Sequence, residues 1–171
     1  MQGRLASYVL LLVVSCLLGA CGFQLRGTGG GTALPDAWKS MQLSAGNPNS
    51  EMSREVQSVF AANGIVWTDE ENANFKLIVG PERFSQTNLS LNSAARVSEF
   101  ELTMQARFTV LDSQGVEVMP EANASVIRQM ENDPRNVVGK AEEVRILKSE
   151  MRTDLAHQIL RRIGFFATSS P

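Results

Sequence analysis

Phe100-Glu101-Leu102-Thr103-Met104-Gln105-Ala106-Arg107-Phe108-Thr109-Val110 alternates apolar and polar residues without a break. Successive side chains of a strand point to opposite faces, so this spacing predicts one long strand with an apolar and a polar face. An apolar face must be covered, while a polar face can stand in water, as in an antiparallel sheet covered on one side only. Downstream, Asp112-Ser113-Gln114-Gly115 reads as a hairpin turn. Val116–Met119 and Ala124–Met130 return as another strand, broken by Pro120. Upstream, Phe75, Leu77 and Val79 alternate as an earlier strand, which Gly80-Pro81 interrupts as a bulge or edge feature. Phe84, Leu89 and Leu91 continue it toward a turn at Asn92–Ala95.

Two helical patterns flank these strands. Trp38–Ser44, with Met41 and Leu43 on one face, predicts a short first strand. Ser50 is a good N-cap, and Met52, Val56, Val59 and Phe60 follow at helical spacing. Asn63-Gly64 then reads as a left-handed C-terminal cap. Asn132-Asp133-Pro134 ends the sheet, and a second helix is predicted from about Asn136 to Ile163. Its stripe is Val144, Leu147, Met151, Leu155, Ile159 and Ile163, with Gly164 as the expected stop. The order is β-α-β-β-β-α, an α+β two-layer sandwich with a mostly antiparallel sheet and both helices on one face. The globular domain is expected over 36–166, with 167–171 a short C-terminal tail.

The N-terminus is an address. Arg4 precedes an apolar run over Leu5–Leu18, the n-region and h-region of a secretory signal. The run is short of the ~20 residues that a spanning helix needs. It ends in Leu18-Gly19-Ala20-Cys21, a bacterial lipobox. Residues 1–20 are expected to be removed and Cys21 to carry S-diacylglycerol and an N-acyl group. An ordinary signal peptide or an uncleaved anchor fits less well, because both the run length and the small residues match the lipobox. Two or three acyl chains hold a protein firmly on a membrane where one does not. Gly22, where Asp would signal inner-membrane retention in some bacteria, permits transport to the outer membrane. Gly27-Thr28-Gly29-Gly30-Gly31-Thr32 lies in a flexible linker, 21–35, with no Lys-Ser/Thr to make it a phosphate loop.

Composition excludes several classes. The 171 residues are 43% hydrophobic and 20% charged, with a formal net charge of −2. That is neither a polytopic membrane protein nor a disordered chain, and it lacks the basic excess of a nucleic-acid binder. One His and two Cys are a thin supply for a zinc site, and no metal site is expected. No nucleophile, base and oxyanion stabiliser can be assembled, so no catalytic residues are expected. His157 lies off the helical stripe and reads as a solvated side chain. Twelve of the sixteen basic residues are Arg, which suits bidentate contact with phosphate or carboxylate, although scattered solubilising charges explain most of them. Arg96 sits beside the central hairpin tip, and Arg128, Arg135 and Lys140 surround the last strand-to-helix junction. Leu89 and Leu91 near the same tip suggest a partner or a lipid if they are exposed.

Cys21-Gly22-Phe23-Gln24-Leu25-Arg26-Gly27 resembles the mature start of the LPS-assembly lipoprotein family, LptE. The resemblance continues through Asn63-Gly64, Ser98-Glu99-Phe100-Glu101-Leu102, Asp133-Pro134 and Met151-Arg152-Thr153-Asp154-Leu155-Ala156, ending near Ile163. It implies a non-enzymatic outer-membrane lipoprotein without a cofactor beyond its covalent acyl groups. Such a protein plugs and helps assemble the LptD β-barrel, and it binds lipopolysaccharide bound for the outer leaflet. Its body stands on the periplasmic side and within the barrel lumen. Lipopolysaccharide contacts are implied near the central hairpin and at the start of the last helix. Lys140 matches the second place; Ser93 stands where some members carry a basic residue in the first, with Arg96 nearby. Leu89, Leu91 and Thr103 are then the expected barrel contacts. An accessory scaffold of another outer-membrane assembly complex is the alternative, and a hydrolase would need the nucleophile and base that the sequence does not supply.

Overall fold

The computed structural model describes residues 34–91, 97–132 and 137–169. The signal, the Gly-rich linker, Cys21, Arg96 and Arg135 lie outside the described residues. After a 3-10 turn at Asp36–Lys39 come β1 (Ser40–Ala45), α1 (Glu51–Ala62), β2 (Val66–Trp67), β3 (Phe75–Val79), β4 (Arg83–Leu91), β5 (Val97–Asp112), β6 (Glu117–Glu131) and α2 (Val137–Ser169). The α+β architecture is the one predicted: a mixed sheet with two helices packed against it.

β5 is the spine of the sheet. β6 pairs antiparallel along one of its edges, from Glu99↔Glu131 to Leu111↔Glu117. β3 and β4 share the other edge end to end, β3 against Phe108–Asp112 and β4 against Val97–Gln105. The predicted second strand is therefore two segments of one ladder, broken by a bulge: Val79 faces Phe108 and Arg83 faces Gln105, so the β3–β4 side carries one extra residue. β1 lies parallel to β3 and to the short edge strand β2, which the sequence pattern leaves as a lead-out. Pro120 does not break β6. It lies in an edge strand where a register irregularity between Phe108↔Ala122 and Val110↔Met119 absorbs it.

Local chemistry sets the ends of the elements. Ser50 Oγ accepts from the Ser53 N–H at 3.1 Å, capping α1. At the other end Gly64 takes φ +87°, and two bonds close the helix: Gly64 N–H to Ala61 O at 3.0 Å and Ile65 N–H to Phe60 O at 3.1 Å. In the β5–β6 turn, Asp112 Oδ1 accepts from the N–H groups of Gln114 (2.8 Å) and Val116 (2.9 Å).

The core lies between the helices and one sheet face. Leu102, Met104, Ala106, Phe108 and Val110 of β5 are buried beneath Met52, Val56, Val59 and Phe60 of α1 and Met151, Leu155, Ile159 and Ile163 of α2. Gly164 does not stop α2, which continues to Ser169. Gly164 is itself buried, and Phe166 beyond it packs edge-on against Trp38 at 6.2 Å. That packing offsets the ~1 kcal/mol that a helical glycine costs.

Candidate functional site

The polar face of β5 is widened by its neighbours into a three-stranded surface. Glu101, Thr103 and Gln105 lie opposite Thr87, Ser85 and Arg83 of β4. On the β6 side, Gln129, Ile127, Ser125 and Asn123 face Glu101, Thr103, Gln105 and Arg107. Both helices cover the opposite face, so this one carries the polar half of the alternation. Thr103 is half-buried within it, and Ile127 beside it is 55% exposed. Ile127 shares the strand parity of Ser125 and Gln129, a signal that would have placed it on the polar face.

At one end of this surface the β4–β5 hairpin meets the β6–α2 junction. Asn132 ties them, donating its N–H to Ser98 O at 2.8 Å and its Nδ2 to Val97 O at 2.6 Å. The Lys140 ammonium hydrogen-bonds Asn132 Oδ1 and sits 4.4 Å from the centre of the Phe100 ring. Lys140, expected at the start of the last helix, thus also comes to the hairpin end, as a half-buried brace rather than a simple surface cation. Leu89 and Leu91 are 43% and 63% exposed. Ser90 Oγ donates to Glu99 Oε2 at 2.7 Å, and Glu99 lies directly across from Glu131, which makes the outer face acidic here. Arg128, by contrast, turns to the helix side and pairs with Asp154 of α2.

A second arrangement escaped the sequence pattern. Arg152 of α2 grips Glu82, with Nε to Oε2 at 2.6 Å and Nη2 to Oε1 at 3.0 Å, and its Nη1 reaches Glu51 Oε2 at 2.8 Å. The hydrogen bonds to Glu82 hold the Arg152 guanidinium above its ordinary pKa. These side chains wall a cleft of about 460 Å³ beside the bulge, between the ends of β1 and β3 and the start of α1. The pair links the bulge to both helices, and its 70-residue separation leaves no local trace in the sequence. His157 is half-buried on α2. Among the described residues no group of three His, Cys, Asp or Glu side chains could hold a metal ion, and no helix is long and apolar enough to cross a membrane.

The family model described as LptE, Lipopolysaccharide-assembly, matches residues 38–163. The chain belongs to the LptE family. LptE proteins are assembly lipoproteins of lipopolysaccharide transport and not enzymes, so no catalytic site is to be sought in the cleft at Arg152. The LPS-assembly lipoprotein LptE of Yersinia pestis (strain Pestoides F) is 25% identical over 167 residues, covering 95% of this chain and 77% of the relative. Its counterpart in Yersinia pseudotuberculosis serotype O:1b matches to the same extent. Among solved structures, a lipoprotein B from Nitrosomonas europaea superposes with a TM-score of 0.70 at 23% identity, over 86% of this chain and 94% of that one. The rare lipoprotein B of Shewanella oneidensis gives 0.65 at 24% identity, over 75% and 96%. These two likenesses show a shared fold.

Proposed function

We propose that this protein is a lipid-anchored outer-membrane plug of the LptD β-barrel that helps the barrel assemble and binds lipopolysaccharide for insertion into the outer leaflet. Acyl chains on Cys21 hold it to the membrane, and the body reaches from the periplasmic side into the lumen. The observation that carries the reading is the three-stranded polar face around Thr103, left uncovered by both helices in a chain of the LptE family. The lumen of a large outer-membrane barrel is polar and is filled by a plug in some of them. Polar side chains there exchange water for hydrogen bonds with the wall, and the exposed Leu89 and Leu91 gain an apolar partner. Lys140, which lies at the hairpin end, and Arg96 are the proposed contacts for lipid A phosphates or core anions.

Photo-crosslinking groups at Ser90 and Thr103 should trap LptD in intact cells, and a group in the Gly29–Gly31 spacer should trap it less. Trapping from the spacer with none from either folded position would sink the plug geometry.

A further inference from the structure

The bulge between β3 and β4 opens a polar concavity of about 360 Å³ in the outer face, lined by Gly80, Arg83, Gln105, Arg107 and Asn123 among others. Gly80 is what lets the backbones meet there. Its N–H donates to Arg107 O at 2.8 Å, and a Cβ on Gly80 would lie 3.3 Å from that same oxygen. Arg83 faces Gln105 across the ladder, and Arg107 faces Asn123, so two guanidinium groups and two amides come from three adjacent strands.

No carboxylate lines this concavity. Arg83 has no ion-pair partner among the described residues. Arg107 has only Glu121, at 3.2 Å, with both side chains more than half exposed. An exposed pair of that kind is worth about 0–1 kcal/mol and opens readily to a better-placed acid. Two cations are therefore held on adjacent strands with one exposed carboxylate between them, and Arg83 has none of its own among the described residues.

We propose that this concavity seats a carboxylate of the barrel wall, an Asp or Glu side chain received by Arg83 and Arg107. The inference rests on the plug reading above and adds a place and a chemistry to it. Guanidinium forks bind carboxylates bidentately, and the contact strengthens where water is excluded, as between a plug and its wall. A protein carboxylate fits better than a lipid phosphate for reasons of position. Leu91 and the hairpin end are about 26 Å away at the usual strand rise, and on this face that end carries Glu99 and Glu131, which repel an anionic lipid arriving along it.

The test uses the full lipoprotein in complex with its barrel. Arg83→Lys and Arg107→Lys keep the charge and supply an amine, so a zero-length carbodiimide should join the new side chain to an Asp or Glu of the barrel. The double variant Arg83→Glu/Arg107→Glu should recover about tenfold less barrel from cells. Lysine coupling only to Glu121 of the same chain, while Thr103 still photo-crosslinks to the barrel, overturns the carboxylate seat and leaves the plug reading standing. Undiminished barrel recovery by the double glutamate variant also overturns it. A fall in co-purified lipopolysaccharide with barrel recovery unchanged overturns it too, by giving the site to the lipid. Loss of the Thr103 crosslink in the unmodified protein removes both readings together.

Discussion

Phe108 and Phe100 stand on the same face of the same strand, eight residues apart, in different surroundings. Phe108 is 1% exposed, in the core shared by both helices and the sheet. Phe100 is half-buried, with the Lys140 ammonium over its ring, and toward the middle of the sheet Phe84, opposite Met104, has the Lys148 ammonium over its ring at 4.0 Å. The sheet is sealed by hydrocarbon around Phe108, whereas at the hairpin end a lysine side chain lies over the Phe100 ring. A lysine stem covers apolar surface while its head stays near water, so the second end closes without becoming a deep core. It is thereby the end where, on the helix-covered face and away from Glu99 and Glu131, the proposed anionic ligand would meet a cation without unfolding the domain.

That contrast can be broken in three places. Phe108→Ala should cost the most, about 3–5 kcal/mol, against about 1–2 kcal/mol for Phe100→Ala. Urea unfolding of the two purified variants measures the difference, and equal losses would show the hairpin end to be as tightly packed as the core. Arg152→Ala should come next, at about 2–3 kcal/mol. It strands Glu82, whose side chain is 19% exposed. The same experiment on Glu82→Gln should cost less, since the amide still accepts a hydrogen bond; an Arg152→Ala protein of undiminished stability would mean the grip on Glu82 braces nothing. Lys140→Met should be the smallest in stability, about 0.5–1 kcal/mol for the lost cation–π contact. Its lipopolysaccharide binding should nonetheless fall about tenfold, the worth of one charge-assisted contact. Full binding by this variant would leave Lys140 as a brace of the hairpin and nothing more.

The elements that could be read from sequence are those specified by neighbours along the chain. The alternation from Phe100 to Val110 has period two over a whole strand, and the Ser50 and Asn63-Gly64 caps lie within a few residues of the bonds they make. Features that depend on distant partners could not be read this way. Gly164 has the signature of a stop, but Phe166 finds Trp38 and the helix runs on. Lys140 looks like a surface cation until β6 and α2 bring it over Phe100. Glu82 and Arg152 carry no shared pattern at all. The polar face itself was legible in β5, whereas the concavity in it depends on how β3 and β4 abut along one edge.

The extra residue in that edge sets a reading frame for side chains. In β3 the odd-numbered positions, Leu77 and Val79, point to the core, opposite Val110 and Phe108. In β4 it is the even-numbered Phe84, opposite Met104, that does so, while Arg83, Ser85 and Thr87 take the outer face. Gly80-Pro81-Glu82 looks like a short loop, where changes of length are usually harmless, but here length is parity. Losing one residue from it would erase the bulge and run β3 straight into β4 with Phe84 still inward, and losing two would turn Phe84 outward and press arginine, serine and threonine toward the core. The count in this segment therefore decides whether the concavity exists at all, while Gly80 and Glu82 fix its shape.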